Sequence, residues 1–135
     1  MLEQYEVAGV TDLRALAAIL VQPLAAELAD ERGRQFLRIY AQKLTLPMAK
    51  KARLTPSFTR WRAVTDSVLP PDAAQLHPRF TALSFTCVQL ARRASEPPRA
   101  DDRLFVSRVI DVAAAILGAP VSAETNRLWA EREKT

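Results

Sequence analysis

The sequence predicts an all-α fold, and three observations carry that prediction. The chain of 135 residues holds only three glycines. Sandwiches, barrels and nucleotide-cradling loops need glycine wherever the backbone turns sharply or meets a ligand. Alanine and leucine dominate while β-branched runs stay short, which favours helix over strand. Apolar residues also recur at spacings of three and four along most of the chain, the period of a helix with one buried face. A hydrophobic share of 49% and a charged share of 25% suit one domain with one core.

The elements follow from punctuation and period. Thr11 is placed to cap a helix over 12–30 with Leu13, Leu16, Leu20, Leu24 and Leu28 on one face. Pro23 inside it removes a hydrogen bond and presses on the carbonyl of Ile19, so a kink is expected over 19–23, or else two shorter helices. Gly33 is read as the following turn. A second helix then spans 34–46 with Phe36, Ile39, Tyr40 and Leu44 inward, and Pro47 ends it before a basic loop. Thr55-Pro56 opens a third helix, to about residue 69, that buries Phe58, Trp61, Val64 and Val68. Pro70-Pro71 stops it, and a short turn is expected over 72–76. His77-Pro78 opens a long helix to about residue 94 whose main face is Phe80, Leu83, Ser84, Cys87, Leu90, Ala91 and Ala94. Its small residues would let another helix approach closely. Phe85 and Val88 project to one side.

Pro97-Pro98 breaks the chain again, and Asp101 is placed to cap the helix over 103–118. That helix has two apolar stripes. Phe105, Val109, Val112 and Ile116 form one, and Val106, Ile110, Ala113 and Leu117 the other. Ser107, Arg108, Asp111 and Ala115 are left for water. A surface helix of a small monomer needs one stripe. The second is read as the face of a dimer. Gly118-Ala119-Pro120 terminates this helix, and Ser122 is placed to cap a last short one carrying Leu128 and Trp129.

The net charge of +4 is unevenly spread. Residues 1–31 hold six acids and one base, residues 32–65 hold nine bases and no acid, and residues 66–135 balance nine against nine. The basic block admits three readings. One is a solvated face, another a surface beside DNA lending nonspecific phosphate attraction. The third is a guide for an anionic effector drawn toward Arg38, Lys43 or Arg62.

Chemistry of the catalytic kind is poorly supplied. His77, the one histidine, reads as a helix-start or surface residue, and Cys87 as a packed thiol. Together they fall short of the three or four ligands of a zinc site. Asp101-Asp102 reads as capping and dipole complement. No enzyme, metal or cofactor is therefore expected. One cysteine and the absence of a long apolar run point to a cytoplasmic protein with no membrane partner.

In this order the segments resemble the C-terminal regulatory domain of tetracycline-repressor-like (TetR) transcription factors. The matching text is Asp12-Leu13-Arg14-Ala15-Leu16 through Gln22-Pro23-Leu24, then Gly33-Arg34-Gln35-Phe36-Leu37-Arg38-Ile39. It resumes at His77-Pro78-Arg79-Phe80, passes Leu90-Ala91-Arg92-Arg93-Ala94 and ends at Leu117-Gly118-Ala119-Pro120-Val121. The likeness covers roughly residues 5 to 122.

The resemblance implies a bundle of six to seven helices that dimerises through its last two long helices as a four-helix bundle. It implies an interface at Leu83, Cys87, Leu90, Phe105, Val106, Val109, Ile110, Ala113 and Leu117. It also implies an apolar pocket for a small apolar or amphipathic effector, at Leu20, Leu24, Phe36, Tyr40, Phe58, Trp61, Phe85 and Gln89. The residues alone leave an ordinary core as the other reading of those aromatics. Members of this family read an operator with an N-terminal helix-turn-helix head. Here residues 1–10 read as the end of a connecting helix, 11–122 as the ligand-binding and dimerisation domain, and 123–135 as a short helix and tail. The head is expected to be missing by truncation, with a naturally headless regulator as the alternative. The rival function is a helical interaction module that uses the basic block (32–62) directly on nucleic acid or an acidic partner.

Overall fold

The computed structural model describes residues 12–44 and 56–133, and every regular element among them is helical. The first helix, α1, is Leu13–Ala25. Asp12 caps it, its carboxylate accepting the Arg14 amide at 2.9 Å. The expected cap, Thr11, lies outside the described residues. Winding of the α type continues through Pro23 and gives way to a 3-10 turn, Ala26–Ala29. The single helix over 12–30 is thus shortened, with the change of winding after the proline.

The second helix, α2, is Glu31–Leu44, and its start corrects the reading of Gly33 as a turn. Asp30 is the cap, with its Oδ1 accepting the Gly33 amide at 2.8 Å. Gly33 is buried inside the first turns of α2, where a Cβ would lie 2.1 Å from the Glu27 carbonyl oxygen. Glycine is needed there because two stretches of backbone touch. The expected continuation to residue 46 and the basic loop to Arg53 lie outside the described residues.

Helix α3 is Pro56–Val68, α4 is Pro71–Leu76, α5 is Phe80–Ala94, α6 is Arg103–Leu117 and α7 is Ala123–Glu133. Asp101 acts at the start of α6 as expected, accepting the Arg103 amide at 2.9 Å. Ser122 Oγ accepts the Thr125 amide at 3.1 Å at the start of α7. No described helix is long and apolar enough to cross a membrane.

The described helices share one core. Helix α1 packs on α6 and also on α5 and α3, while α2 packs on α5. Leu16, Ala17, Val21, Leu37, Ala82 and Leu90 sit at its centre with almost no exposure. Thr65 and Thr86 are also fully buried, although polarity alone would place them outside. Each hydroxyl donates to the carbonyl four residues back, Trp61 and Ala82 respectively, at 2.8 Å, so neither carries an unmet donor into the core.

Three arginines are buried as well: Arg34, Arg79 and Arg93. Each donates to backbone carbonyls at or just beyond the end of a helix. Arg34 Nη2 donates to the Ala94 carbonyl at 2.9 Å and to that of Glu96, and Arg38 Nη1 donates to Ala94 at 2.8 Å. Arg79 donates to the Ala73 and Ala74 carbonyls at the end of α4, while its Nε lies 2.7 Å from Asp66 of α3. Arg93 donates to the Pro97 carbonyl and, through Nε, to Asp102 at 2.9 Å. These contacts tie α2 to the end of α5, α4 to α3, and the end of α5 to the start of α6.

Candidate functional site: the outer flank of α5 and α6

Helical period sets which residues of α5 and α6 remain for a partner. On α6, Val109, Ile110, Ala113 and Leu117 are buried. Helix α1 covers much of the second stripe: its Arg14 bonds Asp111 and Ser107 at 2.8 and 3.0 Å on the adjoining edge. The first stripe runs from core to water. Val109 is 4% exposed, Val112 is 45% exposed, and Phe105 and Ile116 are intermediate. Leu104 at the start of the helix is 74% exposed. On α5, Val88 is 38% exposed with Phe85 and Gln89 intermediate. Two neighbouring helices therefore both leave branched hydrocarbon in water.

The residues expected at the interface are placed as follows. Leu83, Cys87, Leu90, Val109, Ile110, Ala113 and Leu117 are packed inside the chain's own core and have no surface to offer a second copy. Phe105 and Val106 are half-buried. On α6 the exposed large apolar residues are Leu104 and Val112, while Val88 of α5 lines the groove toward α2. The physical reason is that α1 and α5, rather than a partner, cover most of the two stripes.

The residues expected to form an effector pocket are divided between core and surface. Leu20, Phe58 and Trp61 are buried, Leu24, Tyr40, Phe85 and Gln89 are intermediate, and Phe36 is 45% exposed. Phe58 and Trp61 form a tilted ring pair with centroids 5.4 Å apart, and Phe36 stacks on Tyr40 at the same distance on the outer side of α2. Trp61 does not wait for a ligand to satisfy its N–H. That group donates to the Leu16 carbonyl at 2.8 Å and fastens α3 to α1.

Two surface grooves are lined by other residues. One, of about 360 Å³, lies between α1 and the start of α6 and involves Arg14, Gln22, Asp102, Arg103, Ser107 and Ile110. Its charged groups are already paired: Arg14 with Asp111, Arg103 with Asp101, and Asp102 with Arg93. The other, of about 350 Å³, lies between α2 and α5.

The remaining candidates are placed as follows. Burial pushes the Cys87 thiol up to about 12, so it stays protonated and packed at neutral pH. His77 sits at the end of α4 with Nε2 3.2 Å from the Pro120 carbonyl oxygen. Among the described residues no group of histidine, cysteine and acidic side chains is arranged to hold a metal ion. The basic block is partly consumed by the fold. Arg34 is 4% exposed, and Arg38 is shared between the Ala94 carbonyl and Glu31, 3.0 Å away. Arg32, Lys43 and Arg62 are exposed, while Lys50, Lys51 and Arg53 lie outside the described residues. The sequence reading missed the buried arginines, whose only signal was their position within a turn of a helix end.

Comparison of the chain with family models, with curated proteins and with solved structures finds no match.

Proposed function

We propose that this chain is a ligand-responsive dimerisation domain of the TetR-like regulatory type. In this reading two copies pair through the outer flank of α5 and α6 as a four-helix bundle, and a small effector shifts the balance between arrangements of the pair. The observation that carries it is the exposure of Leu104 and Val112 on α6, a helix that packs on α5. Branched hydrocarbon left in water along a helix is the surface that a helical dimer buries. The order of the helices and the connection of α2 to α5 through Arg34 and Arg38 support the regulatory half of the reading. Movement at the dimer flank would reach α2 through those bonds. Direct use of the basic block on nucleic acid has less support, because Arg34 and Arg38 are turned to backbone carbonyls.

Sedimentation velocity at micromolar concentration tests the pairing. The expected species is about 30 kDa, twice the 15.0 kDa of one chain. Val112→Lys should return it to the single-chain mass with an unchanged helical spectrum, because that side chain is already 45% exposed and a charge there costs the monomer little. A parent protein that sediments at 15.0 kDa, or a pair that survives Val112→Lys combined with Leu104→Lys, would overturn the reading.

A further inference from the structure

The groove between α2 and α5 is built from two facing rows of side chains. Arg38, Ala41 and Gln42 recur at three and four residues on α2, and Val88, Ala91, Arg92 and Ser95 do so on α5. The depression exists because Ala41 and Ala91 are small where two helices meet. Any larger pair would fill it. Its volume of about 350 Å³ lies in the lower part of the range of small-molecule sites, roughly 300–1,000 Å³. The floor is methyl and methylene, and the rim is cationic.

The charge on that rim is available. Arg38 is neutralised by Glu31, 3.0 Å away. Arg92 is exposed, and among the described residues no acid lies within ion-pairing distance of its guanidinium. The carbonyls at the end of α5 would otherwise repel an anion, but they are occupied. Ala94 accepts from Arg34 and Arg38, and Ala91 accepts from both the Ser95 amide and the Ser95 hydroxyl. A planar guanidinium above an apolar floor matches a carboxylate carried on a short hydrocarbon body.

The geometry points to this groove as a binding site for a small amphipathic carboxylate, with Arg92 holding the carboxylate and Ala41, Ala91 and Val88 seating the hydrocarbon. The site lies within one chain, so it stands whether or not two copies pair. It also uses none of the residues Leu20, Phe36, Tyr40, Phe58 or Trp61.

The test is titration of sodium hexanoate into ¹⁵N-labelled protein, followed by amide chemical shifts. Saturable shifts are expected around residues 38–42 and 88–95. Arg92→Ala should weaken binding roughly tenfold, the loss of one charge-assisted contact at a wet rim. Ala91→Leu should abolish the saturable shifts by filling the floor while leaving the rest of the spectrum in place. Arg62→Ala, on α3, should change nothing. Shifts that map elsewhere, or an Arg92→Ala protein that binds as tightly as the parent, would overturn the assignment. So would hexanol binding as well as hexanoate, which removes the role of charge, or inorganic phosphate doing so, which removes the role of the floor.

Discussion

Arg93 near the end of α5 reaches across the turn to Asp102 at the start of α6, with Nε 2.9 Å from Oδ1. The arginine side chain is 1% exposed and the aspartate 20%. The two ends of this pair are therefore unequal. Asp102→Ala leaves a guanidinium buried with only Glu96, 3.4 Å away, and the Pro97 carbonyl for company. Arg93→Met puts hydrocarbon in a buried slot and leaves a carboxylate that can reach water.

The expected outcome is an asymmetry in urea unfolding. Asp102→Ala should destabilise by about 3–5 kcal/mol, the cost of stranding a buried charge, and Arg93→Met by clearly less. Equal losses would mean that the pair acts through mutual attraction and not through burial of the cation. Because the pair fixes how α5 meets α6, its loss should also weaken any pairing through their outer flank.

Gly33 gives a second expectation, opposite to helix propensity. Alanine is worth up to about 1 kcal/mol more than glycine inside a helix. At this position the added methyl would lie 2.1 Å from the Glu27 carbonyl oxygen, which belongs to backbone and cannot swing aside. Gly33→Ala should therefore lower stability by roughly 1–3 kcal/mol, as overpacking does, and lower the melting temperature. A neutral or stabilising result would show that the 3-10 turn moves freely away from α2.

What was legible in the sequence divides along the same physical line. Helix order and most boundaries were legible, because Pro56, Pro70-Pro71, Pro97-Pro98 and Gly118 interrupt apolar periods on either side of them. The burial of Phe58, Trp61, Leu83, Leu90 and Ile110 follows from those periods. Two things were not legible. A period shows that a face is apolar but not which neighbour covers it, so the second stripe of α6 was assigned to a partner when α1 and α5 take most of it. A polar residue also reads as solvent-facing unless its bonding partner is known. Arg34 and Arg79 find theirs on carbonyls of other helices, and Gly33 finds its close neighbour in a turn six residues back. Such partners are set by tertiary packing, which no local spacing records.

Asp101 carries the clearest dependence on pH. Its carboxylate accepts from the Arg103 guanidinium at 2.8 to 3.1 Å and from the Arg103 amide at 2.9 Å. The guanidinium hydrogen bonds are the larger cause and the amide bond the next, and together they hold the group down to about 2 from its ordinary 3.8. The folded chain then binds fewer protons at this site than the unfolded chain between those two values. Its contribution to stability is complete above the unfolded value and is lost as the pH falls through the folded one. The first turn of α6 should accordingly fray between about pH 4 and pH 2, a window bounded by these two values. The Arg103 side chain is 91% exposed and that of Asp101 52%, so added salt should narrow the effect. Carboxyl carbon shifts of Asp101 followed through this range by NMR check it: the midpoint should lie near 2 in the parent and move back toward 3.8 in Arg103→Gln. An Asp101 midpoint that does not respond to Arg103→Gln would assign the depression to the amide at the start of α6 and not to the side chain beside it.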